Sequence, residues 1–216
     1  MSFAKYKIET FLKELAQGTP TPGGGSVAAL VGAIGSSLGA MVARVTYGKE
    51  KYRAVWEDMQ AMMVAGDRLQ QAFLKMVDTD ANAYNQVMAA IRLPKSTDDE
   101  KVRREDALLK ANRHATEVPL KTAELLVNIS AWMRMLVDKG SPNCISDVGT
   151  AAQLIRAAVH AAAYNVRFNL GRIPDREYIR MTLVQLEDIE NKVNQEIEVI
   201  ETKIAIALEP NESSRG

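Results

Sequence analysis

Residues 19–52 place three consecutive glycines, Gly23, Gly24 and Gly25, at the start of a long segment of small residues. Glycine has no Cβ, so the backbone of such a loop can approach a ligand closely. Ser26 can cap the helix that follows, which leaves the other N–H groups of the first turn facing outward. Because a helix start favours negative charge, the pattern predicts a loop that holds a carboxylate or a phosphate. The alternative interpretation is a plain turn before a buried helix.

Two polar residues follow the small-residue segment and could contribute to the same site. Lys49 can supply a cation and Tyr52 a phenol. The pattern G-x-x-x-x-G-K-[ST] of nucleotide-binding loops is not met, so a nucleoside triphosphate is not indicated. A smaller or flatter ligand is indicated instead.

A second junction of the same design spans residues 141–170, with a proline-containing turn, polar side chains and then a helix rich in alanine. Its candidate site residues are Asn143, Ser146 and Asp147. An aspartate in the first turn of a helix is also an ordinary partner of the helix dipole. Cys144 could be a nucleophile beside a helix start, but its neighbours in sequence offer no base, and a buried apolar role is favoured.

A third cluster lies in residues 77–95, where Asp80 and Tyr84 are four apart and share one helix face. A carboxylate within an apolar helical pattern must be exposed, paired or retained for chemistry, because burying it alone is costly. Exposure on the surface is the alternative interpretation. The two histidines, His114 and His160, have no ligand at a zinc-binding spacing, and the sequence predicts no metal site.

Helical periodicity runs through nearly the whole chain, and no segment alternates as paired strands do. The sequence therefore predicts an all-α fold, a bundle of long helices with small-residue central helices that forms one domain over residues 1–216. Glycine, proline and polar connections divide it. The first three expected helices cover about residues 8–17, the small-residue segment after the glycines, and 49 or 50 to 91. The fourth covers 98–138 with a kink at Pro119, and the fifth runs from 145 or 146 to 170. The last helix has Pro174 in its first turn and extends to Leu208.

Composition narrows the class of protein. The chain has 216 residues, 27 basic and 27 acidic, and 47% hydrophobic residues, which predicts a soluble domain with a substantial core. Balanced charge argues against a nucleic-acid partner. A lone cysteine cannot form an internal disulfide, and no signal peptide pattern opens the chain, so a cytoplasmic location is expected. The uncharged residues 27–43 are interrupted by glycine and serine, which favours a core helix or subunit interface over a membrane span.

Four segments of the chain, in this order, carry a resemblance to a known family. The sequence resembles the formimidoyltetrahydrofolate cyclodeaminase and methenyltetrahydrofolate cyclohydrolase family, and the resemblance covers nearly the whole chain. The segments are TPTPGGGSVAALVGAIGSSLGAMVARVTYGKEKY, DTDANAYNQVMAAIRLPK, VPLKTAELL and PNCISDVGTAAQLIRAAVHAAAYNVRFNL.

The resemblance implies an all-helical homodimer that acts on a one-carbon unit of tetrahydrofolate, with the folate as substrate and no tightly bound cofactor. Folate has a flat pterin whose amide edge suits Asp or Asn, and a glutamate tail that suits glycine-loop N–H groups and Lys49. In the cyclohydrolase reaction, water attacks the methenyl carbon of a cationic ring and one ring nitrogen leaves. In the cyclodeaminase reaction, a folate nitrogen attacks a formimino carbon and ammonia leaves.

Both reactions need groups that stabilise an amidinium-like cation and move protons. We therefore expect Asp147 and Asp80 to form the acid–base or cation-stabilising pair, with substrate held by the other residues of the three clusters. These are Lys49 and Tyr84, which would orient the substrate, Gly23, Gly24, Gly25 and Ser26 as the anion-facing loop, and Asn143 and Ser146 as hydrogen-bonding groups.

The leading functional hypothesis is a free-standing methenyltetrahydrofolate cyclohydrolase. The alternatives are a free-standing formimidoyltetrahydrofolate cyclodeaminase and a non-catalytic folate-binding helical protein on the same scaffold. All of them require the first junction, which is the glycine loop at the start of the small-residue helix, and the second junction to meet in one cleft, either within a chain or between neighbouring protomers.

Overall fold

Residues 2–209 are described by a computed structural model, and this part of the chain contains six α-helices and no strand. The all-α prediction is confirmed. A short 3-10 turn at Phe3–Lys5 precedes the first helix, and two others, at Glu50–Val55 and Pro142–Cys144, lie between helices. The helices are α1 (Ile8–Ala16), α2 (Gly24–Thr46), α3 (Trp56–Ile91), α4 (Asp98–Lys139), α5 (Ile145–Leu170) and α6 (Arg176–Leu208).

Local capping chemistry sets several of the helix ends. The Thr97 hydroxyl accepts the N–H of Glu100 at 3.2 Å, and the Glu100 carboxylate accepts the N–H of Thr97 at 3.1 Å, a capping box that begins α4. Asp175 begins α6 by accepting the N–H groups of Glu177 and Tyr178. Pro174 therefore lies before α6 and not in its first turn as expected.

The helix expected from residue 49 or 50 begins later. Glu50–Val55 forms a 3-10 turn, and α3 starts at Trp56. The Trp56 indole explains the difference, because its Nε1 donates to the Lys49 carbonyl at 3.3 Å and its ring lies 5.6 Å from the ring of Tyr47. These contacts fold the segment back on the end of α2 and prevent a continuous helix.

Helix α2 lies in the centre of the bundle, where it packs against α3, α4 and α5. Its small residues make that packing possible. A Cβ on Gly32 would lie 2.9 Å from the Phe73 ring, and a Cβ on Gly39 would lie 2.1 Å from the Met133 methyl group. The expectation that small residues form a central helix is thus met by close contact with neighbouring side chains.

By length and composition alone, α2 could also cross a membrane. In its most apolar window, however, 61% of the residues are buried inside the bundle. A helix buried on this scale, with neighbours on several sides, has the environment of a core helix.

Helices α2 and α5 run in opposite directions, which decides where the two junctions lie. Gly24 at the start of α2 is beside Asn165 near the end of α5, where a glycine Cβ would be 3.2 Å from the Asn165 amide nitrogen. At the other end, the N–H of Ser141 donates to the hydroxyl of Thr46 at 2.9 Å. The loops that precede α2 and α5 therefore lie at opposite ends of the bundle, separated by the length of α2, about 34 Å.

Candidate active site

The carboxylate of Asp80, on α3, lies against the first turn of α2. A Cβ on Gly25 would be only 2.1 Å from Asp80 Oδ1, so the carboxylate occupies space that glycine alone leaves open. Ser26 Oγ donates to Asp80 Oδ2 at 2.9 Å. The helix start was expected to hold an anion, and an aspartate of the same chain supplies one there.

Ser26 has a different role from the one expected. The capping position of α2 is Gly23, and Ser26 lies inside the helix with its side chain fully buried. Its hydroxyl is within hydrogen-bond distance of two acceptors, Asp80 Oδ2 at 2.9 Å and the Val77 carbonyl at 3.0 Å. Since Ser26 lies beneath the carboxylate, it positions Asp80 and does not face the cleft.

This hydroxyl suits both protonation states of Asp80. A serine has one proton to donate and can also accept a hydrogen bond. With Asp80 ionised, Ser26 donates to the carboxylate, and with Asp80 protonated, the carboxyl group can donate to Ser26 while Ser26 donates to Val77. Proton uptake or release by Asp80 then leaves no polar group unpaired.

Burial raises the pKa of Asp80 above its ordinary value of 3.8, while the side-chain hydroxyl and backbone N–H of Ser26 act in the opposite direction. Desolvation is the larger effect, because it disfavours the charged form of a half-buried carboxyl group. A carboxyl group with a raised pKa in a cleft is a candidate for general acid–base chemistry.

A cleft of about 140 Å³ opens above Asp80. Asp80 and Tyr84 both line it, as expected for residues four apart on one helix face. The remaining walls come from the glycine loop, from α4 and from the last turns of α5. The principal lining residues are Pro20, Thr21, Gly23, Gly24, Gly25, Asp80, Tyr84, Ala115, Asn165, Phe168, Asn169 and Arg172.

Asn169 joins two walls of the cleft through a carbonyl that a proline leaves unpaired. Pro119 lies inside α4 and has no N–H to donate to the carbonyl of Ala115, four residues earlier. The Asn169 side chain donates to that carbonyl at 2.6 Å. Helix α4 therefore continues through Pro119, and the missing backbone bond is replaced by one from α5.

The sequence reasoning missed the residues of α5 that line this cleft. Asn165, Phe168 and Asn169 recur at intervals of three and four on one side of the helix end, and Arg172 follows at the same spacing just after α5. A run of amide, aromatic and basic side chains on one face of an alanine-rich helix was the available signal.

The candidate site residues in the turn and first helical turn of the second junction do not reach this cleft within one chain. Asp147 is in the first turn of α5, about 27 Å along the helix from Asn165. Asn143 and Ser146 are beside it in sequence, and Lys49 lies in the segment after α2, at the same end of the bundle. The pairing of Asp147 with Asp80 stays a prediction, and it requires a second copy of the chain.

Other features of the second junction are structural. Cys144 is buried, as expected for a small apolar residue. The Tyr52 hydroxyl lies 3.5 Å from Ser141 Oγ, and this contact, followed by those with Lys51, lowers the pKa of Tyr52. Within residues 2–209, no group of three His, Cys, Asp or Glu side chains is arranged to hold a metal ion.

Comparison with known proteins identifies the family. The formiminotransferase-cyclodeaminase family matches residues 7–188 of the chain. Methenyltetrahydrofolate cyclohydrolase of Methylorubrum extorquens is 37% identical over 182 residues, which are 84% of this chain and 88% of that protein. This chain belongs to the formiminotransferase-cyclodeaminase family. Its cleft and glycine loop fall within the matched region.

Two further relatives of the family place the chain within it. Formimidoyltransferase-cyclodeaminase of Rattus norvegicus is 34% identical over 168 residues, 78% of this chain but only 31% of that protein, so the chain aligns with about a third of the longer relative. The crystal structure of formiminotetrahydrofolate cyclodeaminase from Thermotoga maritima superposes with a TM-score of 0.85 at 26% identity and covers 93% of this chain and 96% of that one.

Proposed function

We propose that this protein is a methenyltetrahydrofolate cyclohydrolase, which hydrolyses 5,10-methenyltetrahydrofolate to 10-formyltetrahydrofolate. The observation that carries the proposal is the Asp80 carboxyl group, half-buried at the base of a cleft with its pKa raised. The similarity to the cyclohydrolase of Methylorubrum extorquens, over most of both chains, supports it.

Asp80 suits the first step of the reaction. The substrate carries a positive charge over its methenyl carbon and the two nitrogens that flank it, and an ionised carboxylate beside this bridge stabilises that charge. Water then attacks the carbon. As the new C–O bond forms, Asp80 accepts a proton from the water, and the bridge becomes a neutral tetrahedral centre.

The second step returns the proton. The bond between the former methenyl carbon and N5 breaks, N5 takes the proton held by Asp80, and the hydroxyl loses its proton to solvent as the formyl C=O forms. One proton is released per turnover. A group that accepts and then donates a proton works best with its pKa near the working pH, and burial shifts Asp80 in that direction.

Tyr84 and Asn165 border the cleft above Asp80, and in this proposal they orient the pterin. The amide group of Asn165 suits the amide and amino edge of that ring system. The glycine-loop N–H groups were expected to hold the glutamate tail, but the Asp80 carboxylate already lies against this helix start. The loop's role in the proposal is therefore to hold Asp80 and to leave room for the substrate.

Cyclodeaminase activity is the second candidate, because the Thermotoga maritima structure that superposes at a TM-score of 0.85 is a formiminotetrahydrofolate cyclodeaminase. In that reaction N10 attacks the formimino carbon of 5-formiminotetrahydrofolate and ammonia leaves. The departing nitrogen needs a proton, and Asp80 is placed to supply it. The same cleft thus serves either reaction.

A homodimer is part of the proposal, because it offers a way to bring Asp147, Lys49, Asn143 and Ser146 to the cleft. A stripe of apolar residues along α2 supports it. The stripe is partly exposed, is centred on Ile34, which is 48% exposed, and repeats at intervals close to those of a coiled-coil seam. Its members are Val27, Val31, Ile34, Leu38, Met41 and Val45.

Antiparallel pairing of two such stripes would place the start of one α2 beside the end of the other. The glycine loop of one protomer would then approach the second junction of its partner. A two-fold axis generates two such combined sites in the dimer.

The activity is tested with purified protein by the near-ultraviolet absorbance of methenyltetrahydrofolate, with Asp80→Asn as the control for spontaneous hydrolysis. Catalysed loss of absorbance supports the cyclohydrolase. Catalysed appearance from 5-formiminotetrahydrofolate, with ammonia release, supports the cyclodeaminase instead. Tight binding of the folate without either signal identifies a non-catalytic protein and rejects both.

A further inference from the structure

The cleft above Asp80 is too small for a whole folate. Its volume of about 140 Å³ is below the ~300–1,000 Å³ of typical ligand pockets. A folate consists of a pterin, an aminobenzoyl ring and a glutamate tail. If the reacting end lies at Asp80, the other two parts must lie outside the cleft, across its rim.

The rim contains an aromatic ring with an arginine stacked on it. Phe168 is 66% exposed, and the guanidinium carbon of Arg172 lies 4.7 Å from its ring centroid. Both residues line the cleft. The stacking holds the guanidinium group beside an exposed apolar surface.

The charge of Arg172 is available for a ligand. Within residues 2–209 Arg172, just after the end of α5, forms no salt bridge, whereas Arg167 in the last turn of α5 pairs with Glu190 at 2.5 Å. A guanidinium group can donate two parallel hydrogen bonds to a carboxylate. The rim thus presents a flat apolar surface followed by a donor that suits a carboxylate.

We propose that Phe168 and Arg172 bind the aminobenzoylglutamate part of the substrate, Phe168 by stacking on the aminobenzoyl ring and Arg172 by pairing with a glutamate carboxylate. This inference rests on the proposed function and assigns the tail specificity of the same site. Arg172 acts on binding and not on the chemical step, because the carboxylate that it holds keeps its charge throughout the reaction.

The test compares two substrates. One is 5,10-methenyltetrahydrofolate, and the other is its analogue in which an uncharged methylamide replaces the glutamate. For Arg172→Gln we expect KM for the first substrate to rise about tenfold with kcat unchanged, the order for one lost hydrogen bond to a charged group at an accessible position. The KM for the methylamide should not change.

Three further variants test the separate roles of the Phe168 ring and the Arg172 charge and provide a control. Phe168→Ala should raise KM for both substrates, because both keep the aminobenzoyl ring, and Arg172→Lys should retain part of the preference for the charged tail. Arg68→Gln is the matched control, an exposed arginine about 18 Å along α3 from Asp80. It should leave both KM values unchanged.

Equilibrium binding of tetrahydrofolate and of its methylamide, measured by calorimetry, separates the two proposals. The tail assignment is overturned if the wild type turns over substrate but Arg172→Gln changes KM equally for both substrates, or for neither. The proposed cyclohydrolase activity would then still stand. Wild-type protein that neither binds nor turns over the folate overturns both. A change of oligomeric state in Arg172→Gln would make Arg172 a subunit contact and would also overturn the assignment.

Discussion

The carboxyl group of Asp80 is half-buried, and burial raises its pKa above the ordinary value of 3.8. The folded protein therefore binds this proton more tightly than the unfolded chain does. As pH rises from the ordinary aspartate pKa through the raised one, the unfolded state loses its proton first, and the free energy of unfolding falls. At higher pH the ionised carboxylate reduces stability relative to a neutral group in the same place.

The substitution Asp80→Asn separates this effect on stability from catalysis. It removes the charge and keeps an oxygen that can accept from Ser26, so at neutral pH we expect a Tm equal to or above that of the wild type. Turnover should fall by about 100-fold or more, since the acid–base group is lost. Thermal unfolding and the absorbance assay measure the two quantities.

Asp78→Asn is the matched control for that experiment. The Asp78 carboxylate accepts from the Ser2 hydroxyl at 2.6 Å and from the N–H of Ala4 at 3.3 Å, away from the cleft. Its loss should leave turnover close to the wild-type value. Wild-type turnover in a folded Asp80→Asn variant would contradict the assigned role.

Ser26 should control the pH dependence of the reaction. A general base must be ionised, so kcat/KM should decline as pH falls through the pKa of Asp80. The Ser26 hydroxyl lowers that pKa, and its removal in Ser26→Ala should raise it and move the acid limb of the pH profile to higher pH. Ser36→Ala, a buried serine of α2 that donates only to Gly32 of the same helix, should leave the limb in place. A limb that stays put or moves to lower pH in Ser26→Ala would argue against the proposed base.

At the scale of helices, α4 and α5 are coupled through Pro119 and Asn169. Asn169→Ala should leave the Ala115 carbonyl unpaired and lower the free energy of unfolding by about 1–3 kcal/mol. In a Pro119→Ala background, the restored backbone N–H can bond to Ala115, so the same substitution should cost less. Denaturant unfolding of the two single variants and the double variant measures this coupling. Equal costs in both backgrounds would show that the two residues act independently.

The helix ends that depend on local chemistry could be predicted from the sequence. Gly18 takes a φ of 75° just after α1, α3 ends at Ile91 before Pro94, and α5 ends at Leu170 before Gly171. The late start of α3 could not be predicted, because it depends on the contact of Trp56 with Tyr47, and aromatic packing between segments leaves no periodic signal.

In the candidate site too, features set by local spacing could be predicted, and contacts between residues distant in sequence could not. Helical spacing was enough to predict that Asp80 and Tyr84 face one side. The pattern also indicated that a carboxylate at position 80 needs a partner, but not that the partner is Ser26, which lies 54 residues away in sequence. The contact of Asn169 with Ala115 could not be predicted for the same reason, since the two residues meet only after α4 and α5 have packed.

At the scale of the whole molecule, the loops that precede α2 and α5 lie about 34 Å apart, so residues beside both loops can share a site only between protomers. If they do, Asp80→Asn and Asp147→Asn should each be inactive alone. Subunits of the two variants, unfolded together and refolded, should regain up to about a quarter of wild-type activity, because half of the dimers would each contain one intact site.

Two controls accompany this mixing experiment. Ile34→Lys in both subunits places a charge on the α2 stripe and should abolish the regained activity along with the dimer, as measured by sedimentation. Ile206→Lys, at an exposed position on α6, should affect neither the regained activity nor the dimer. Full activity of Asp147→Asn by itself would remove the second junction from the reaction.

The contact between Gly25 and Asp80 also offers a means of diagnosis across related sequences. A methyl group at position 25 would displace the carboxylate, yet the buried face of every helix would keep its pattern. A homologue with a residue other than glycine at the position of Gly25, or without an acidic residue at the position of Asp80, should still adopt this bundle but lack its activity. Inspecting two alignment columns would then sort functioning enzymes from inert copies before either is purified.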